Sequence, residues 1–304
     1  MHKIQASLLL ISLLTMPFFK SFGSQNPGGA ETDPYHVVND GPCEYEGMKL
    51  IWHDEFNNEG KPNANNWGYE YGFVRNNELQ WYQPQNANCS KGRLLIEGKR
   101  EKIINPNYNP QSDNWRINRQ YAEYSSACLI TRGNHEWKGG GYYEIRARID
   151  SSMGSWPAIW LLGSKGRWPH GGEIDIMEFY RPDRKPAILA NAAWGSEKAY
   201  TGEWDTAVVP LEHFLNKDPR WVEKYHVWSL HWDAQTMRIA IDGETINEID
   251  LTKTLNPDGH NPFGMDESFY LLLNLALGSN GGNPSNTQFP LSFEVDYVRF
   301  YEFE

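Results

Sequence analysis

Apolar residues in this chain almost never recur at the three-to-four residue spacing of a helix, and that absence most constrains the fold. From Met48 onward, short apolar or alternating runs are separated by Gly, Pro, Asn and Asp. Residues 49–53 form one such run, followed by a loop over residues 57–66 that holds Gly60 and Pro62. Residues 93–98 and 127–131 are two more, and residues 141–149 alternate cleanly, with Arg146 and Arg148 on one face. The pattern returns at residues 227–232, at 237–241 before Asp242-Gly243, at 268–277 and at 291–301. Only residues 210–215 read as a short helix, with Pro210 suited to its first turn. Many short strands with turn signals between them predict an all-β protein, an antiparallel sandwich or barrel.

Residues 1–23 begin with His2 and Lys3, continue through an apolar run and end on small residues, which predicts a secretory signal peptide. The run is broken by Gln5, Ser7 and Pro17 and is short for a membrane span. Residues 24–46, with Pro27, Pro34 and Pro42, predict an irregular arm. Residues 47–304, about 260 residues without an internal repeat, suit one all-β domain. We expect export to the periplasm, cell surface or extracellular space, a mature domain that does not insert in a membrane, and a monomer. Cys43, Cys89 and Cys128 allow at most one internal disulfide. A net charge of -11 argues against nucleic acid or anionic membrane as partner, since both require basic patches. Aromatic residues make up 14% of the chain, with 13 Trp. At least half of the Trp residues are expected in the core. Sugars, with apolar C–H faces rimmed by hydroxyls, suit aromatic platforms for the rest.

Glu173-Ile174-Asp175-Ile176-Met177-Glu178 sets three carboxylates in an apolar run that favours extended backbone. Glu173 and Asp175 share a face by alternation. Strict alternation would put the next residue of that face at Met177, so Glu178 joins it only if one residue is looped out as a β-bulge. Glu173 and Glu178 would then stand about four strand steps apart, roughly 13 Å at the backbone. Leaning side chains could bring the carboxyl groups to the separation of about 5–5.5 Å that a retaining glycosidase uses. The spacing equally suits a solvated face or a cation site.

Wider context narrows the choice. Ser155-Trp156-Pro157-Ala158-Ile159-Trp160-Leu161-Leu162-Gly163, then Trp168-Pro169 and Gly172 to Glu178, resembles glycoside hydrolase family sixteen, especially its laminarinase-like members. The similarity extends to Trp52-His53-Asp54-Glu55-Phe56, Asn77-Glu78-Leu79-Gln80-Trp81-Tyr82, Asn274-Leu275-Ala276-Leu277-Gly278 and Val295-Asp296-Tyr297-Val298-Arg299-Phe300-Tyr301. The resemblance implies a jelly-roll sandwich, concanavalin-like, with a substrate cleft on its concave face, and retaining endo-hydrolysis of a β-linked polysaccharide or oligosaccharide. It makes Glu173 the nucleophile, Glu178 the general acid/base and Asp175 the residue between them. It further implies that Trp156, Trp160 and Trp168 line the sugar-binding floor, with Asn76, Glu78 and Gln80 as cleft candidates. No cofactor is required, although some members hold a structural calcium, here through Glu55 and Asp296.

Laminarinase-like members tend to carry a His on the strand after the catalytic one, where this chain has Asn191 followed by Trp194. Both residues are taken as substrate-binding. β-1,3-Glucan or mixed-linkage glucan is the expected substrate. Agar-like or mucin-type galactose-containing glycans are the alternative, and a non-catalytic carbohydrate-binding sandwich is the alternative of another class. Loss of one catalytic acid would mark the last, and both glutamates are present. A purely structural or calcium-stabilised surface domain would instead use the acids as a cation site.

Overall fold

The computed structural model describes residues 41–304, so the expected signal peptide and residues 24–40 of the expected arm lie outside the described residues. Alternating strands bury one face each, and two sheets packed face to face result. One sheet runs Glu244–Asp250, Thr236–Ile241, His226–Trp232, Gly141–Arg148, Leu291–Phe303, Leu94–Ile104, Tyr121–Ser126 and Gln80–Tyr82, with Met48–Asp54 and Ala87–Cys89 paired at its flanks. The other runs Gly202–Pro210, Ala187–Gly195, Glu173–Tyr180, Ser155–Gly163, Ser268–Leu277, Cys128–Ile130 and Gly68–Tyr69, with Trp137–Lys138 against Ser268–Leu277. Every pairing is antiparallel except that of Gln80–Tyr82 with Tyr121–Ser126. The chain is therefore an all-β antiparallel sandwich, as the punctuation predicted.

Between the sheets lies one continuous core. Ile159, Leu161 and Leu273 enter it from one sheet, and Ile145, Trp228 and Phe293 from the other, all fully buried. Each such side chain contributes about 1.5–3 kcal/mol by leaving water. On Ser155–Gly163 the partners of these residues, Trp156, Ala158, Trp160 and Leu162, face the opposite way and floor a cleft on the outer side of the second sheet. Residues 141–148 behave as the alternation predicted: Arg146 and Arg148 share a face, where they meet Asp296 and Glu294.

Two elements differ from expectation. The helix is Leu211–Leu215, with Pro210 just ahead of it. The edge strand Gly202–Pro210 was not among the runs expected from sequence. Its sequence hides it, because one face is exposed and only alternate residues are partly covered. All three cysteines are free thiols, Cys89 and Cys128 buried and Cys43 exposed. No helix among the described residues is long and apolar enough to cross a membrane.

Candidate active site

The strand Glu173–Tyr180 lies between Ser155–Gly163 and Ala187–Gly195. Against the first neighbour the register passes from Trp160 opposite Asp175 to Ile159 opposite Met177, so Ile176 is an extra residue, a β-bulge. Against the second, Asp175 faces Asn191 while Glu178 faces Leu189. Ile176 and Met177 consequently both enter the core, and Glu173, Asp175, Glu178 and Tyr180 all reach the outer face. Gly172 sets the entry to this strand with φ at +84°, and a Cβ there would lie 3.0 Å from the rings of Phe263 and Phe269. Glycine is needed both for the left-handed backbone and for the closeness of those rings.

The cleft holds about 620 Å³. Trp168 donates its indole N–H to Glu173 Oε2 at 2.6 Å, and Trp156 donates to Glu178 Oε1 at 2.9 Å. Asn191 bridges the cluster: its Nδ2 lies 2.9 Å from Asp175 Oδ2 and 3.2 Å from Glu178 Oε2. That geometry fixes the amide's orientation and leaves Asn191 Oδ1 buried with no hydrogen-bond partner among the described residues. Trp160 is held by Asn274 at 2.7 Å, and the Arg75 guanidinium lies 4.9 Å over its ring.

Burial raises the pKa of all three acids. For Glu173 desolvation dominates, followed by the Asp175 charge, with the Trp168 indole and the Arg75 guanidinium pulling the other way. Asp175 is raised by burial and then by the Glu178 charge, opposed by the Asn191 amide. Glu178 is pushed up to about 8 by burial and by the Glu173 charge. Glu178 thus keeps its proton at neutral pH, and crowding of the three carboxyls in a desolvated floor sets their titrations apart, the condition for one to act as an acid while a neighbour stays charged. A fourth, Glu78, is buried in the same wall and pushed up to about 7 by desolvation.

The expected residues fall into three groups. Glu173, Asp175, Glu178, Trp156, Trp160, Trp168, Asn76, Glu78 and Asn191 line one cleft. Gln80 and Trp194 do not. Gln80 is buried behind the wall, its Nε2 donating to Glu78 Oε2 at 2.6 Å and its Oε1 accepting the Leu277 N–H at 2.8 Å. Trp194 is three residues from Asn191 on an unbroken strand, so alternation sends it to the core side, where it packs against the apolar cluster. Glu55 and Asp296, the residues expected at a calcium site, are engaged by arginines: Glu55 receives Arg299 Nε and Nη2 at 2.9 Å each, and Asp296 receives Arg146 at 2.5 Å. Arg75, Arg116, Tyr180, Trp204, Thr206 and Asn274 also line the cleft and were missed. Trp204 and Thr206 could have been found from alternation once the edge strand was recognised, since they sit opposite Ala193 and Asn191.

A family model described as glycosyl hydrolases family 16 matches residues 101–297. The chain is 31% identical over 271 residues to a β-glucanase of Rhodothermus marinus, covering 83% of this chain and 85% of that one. A solved structure from work on endo-acting O-glycanases, which prominent members of the human gut microbiota express to initiate mucin breakdown, matches with a TM-score of 0.75 at 31% identity. That match covers 85% of this chain and 92% of the other. The laminarinase catalytic domain of Thermotoga maritima MSB8 matches with a TM-score of 0.69 at 29% identity, over 85% of this chain and 100% of that one. Sequence, sandwich and cleft agree: the chain belongs to glycosyl hydrolases family 16 and is a glycosidase that hydrolyses O-glycosyl bonds.

Proposed function

We propose that the protein is an exported, retaining endo-β-glycanase that cuts β-1,3-linked glucan, with residues 1–23 as its export signal. The observation that carries the reaction is the bulged strand, which sets Glu173, Asp175 and Glu178 side by side on a cleft floor between two indole donors. Glu178, protonated at neutral pH, gives its proton to the glycosidic oxygen as the bond to the anomeric carbon breaks. Glu173, the carboxylate acted on by the Arg75 charge, attacks that carbon and forms a glycosyl ester. Glu178, now ionised, takes a proton from water, and the resulting attack at the same carbon releases the sugar and restores Glu173. Asp175, between the two glutamates and held by Asn191, orients both, and burial favours its neutral form. Trp156, Trp160 and Trp168 offer ring faces or edges to the sugar chain.

The β-1,3-glucan assignment rests on the relatives named β-glucanase and laminarinase. A second reading, a β-galactoside within mucin-type glycans, is supported by the match to the O-glycanase structure, whose TM-score of 0.75 exceeds the 0.69 of the laminarinase domain. A product screen on laminarin, mixed-linkage glucan and mucin-type O-glycans separates the two. Release of laminari-oligosaccharides from laminarin at the highest kcat/KM is the expected result. Preference for the O-glycans replaces the first substrate with the second, and no internal cleavage of any β-glycan contradicts the endo-glycanase assignment.

A further inference from the structure

Residues 105–120, between Leu94–Ile104 and Tyr121–Ser126, form a loop that the chemistry above does not use. The loop braces itself: Asn105 Nδ2 donates to the carbonyls of Arg116 and Arg119, both at 2.9 Å, and the Asn109 N–H donates to the Ile117 carbonyl at 2.6 Å. Two arginines then leave it for one segment of the cleft wall. Arg116 Nε donates to the Val74 carbonyl at 2.7 Å, while Arg119 donates through Nη1 to Glu78 O at 2.7 Å and through Nη2 to Asn77 O at 3.3 Å. Arg119 lies over the rings of Phe73, at 5.0 Å, and Trp115, at 4.8 Å.

The braced segment needs support. Asn76 and Asn77 both adopt left-handed backbone, with φ of +56° and +52°; Asn enters that region more readily than other side chains, but as single residues rather than two in succession. From Val74 to Glu78 each carbonyl accepts a hydrogen bond: Val74 from Arg116, Arg75 from the Glu78 N–H, Asn76 from Ser279 Oγ, and Asn77 and Glu78 from Arg119. Arg75, Asn76 and Glu78 are thereby held as cleft lining. Arg116 is itself exposed, lies 4.8 Å over the Trp115 ring and lines the same end of the cleft. Its remaining N–H groups and the Asn76 amide are hydrogen-bond donors of the kind that sugar hydroxyls accept.

We infer that this loop builds an outer sugar subsite, with Arg116 as a contact to glycan hydroxyls and Arg119 as the positioning residue that fixes the Asn76–Glu78 wall. The inference rests on the glycanase reading only for the identity of the ligand. Its test has one readout that needs no ligand. In Arg119→Ala, amide hydrogen exchange at Glu78 and Leu79 should quicken about tenfold while Asp175 and Glu178 keep their protection. With laminarihexaose, KM should rise about 5–20-fold and kcat stay within about twofold, as expected for the loss of one or two hydrogen bonds that steady a binding wall. Arg119→Lys should recover part of both effects. Arg116→Ala should raise KM by a similar factor while exchange at Glu78 and Leu79 stays within about twofold, because its own bond goes to the Val74 carbonyl and not to the Asn76–Glu78 wall. Unchanged exchange and unchanged KM overturn the proposal, and so does a fall in kcat at constant KM. If the wild type ignores laminarihexaose, the substrate assignment has failed instead. The exchange comparison still decides Arg119, and the KM comparison is then made on the O-glycan.

Discussion

One amide carries much of the site's order. Asn191 reaches Asp175 and Glu178 with the same Nδ2, so the acid between the glutamates and the proposed proton donor are held by a group that does not itself titrate across physiological pH. The proton inventory therefore belongs to the carboxyls. Glu178 is raised to about 8, above its ordinary value, so folding favours its protonated form. Whatever stability it adds is complete below the unfolded pKa near 4.5 and is lost as pH climbs through about 8. Two effects follow. The wild-type kcat/KM should fall about tenfold per pH unit above about 8, and its melting temperature should drop as pH rises from about 4.5 to about 8 and level off above that. Glu178→Gln should lower kcat by about 10³-fold or more and lessen that drop, as read by a pH–rate profile and thermal melts. At this scale the sequence showed the acids and the need for a bulge, but not how their protons are shared. Arg75 and Arg116 reach the cleft from loops that fold back across it, and no local pattern announces such an approach.

The strand Glu173–Tyr180 shows what an element contributes beyond its residues. Its bulge converts a run that could offer alternate acids into one that offers Glu173, Asp175 and Glu178 together, while Ile176 and Met177 both stay in the core. The geometry was legible because alternation makes a two-acid face and a third acid out of phase incompatible without an extra residue. Trp194 shows the same rule neglected: three steps from Asn191 on a regular strand is the opposite face. Gly202–Pro210 failed for another reason, since an edge strand with one wet face lacks the apolar signature of its neighbours. Gly172 offers a test at this scale. Gly172→Ala forces a Cβ to 3.0 Å from Phe263 and Phe269 in a left-handed backbone, which should cost about 1–3 kcal/mol. A domain of this size should then melt at least about 2–4 °C lower, and kcat should fall because the entry to Glu173 moves. An unchanged melt would show that the turn relaxes freely.

Across the whole molecule the two sheets divide the labour. The Glu173 sheet carries the cleft, and the other covers the shared core and settles its own buried charge by pairing. There Arg299 meets Glu55 and Glu144, and Arg146 meets Asp296, so the two carboxylates expected at a calcium site are paired with arginine. Sequence gave no warning, because an acid bound to arginine and an acid bound to metal look alike until the partner strand is placed. The sandwich itself was plain from strand punctuation, since turn residues and alternation are local signals. Cleft shape and substrate choice depend on loops brought together from distant parts of the chain. The measurement closest to the central proposal, double displacement at Glu173 with Glu178 as acid/base, is proton NMR of the first product formed from the preferred β-glycan. Initial appearance of the β-anomer, followed by slow mutarotation, is the predicted result. Initial appearance of the α-anomer would contradict it, because single displacement by water inverts the anomeric carbon and leaves no role for a glycosyl ester on Glu173.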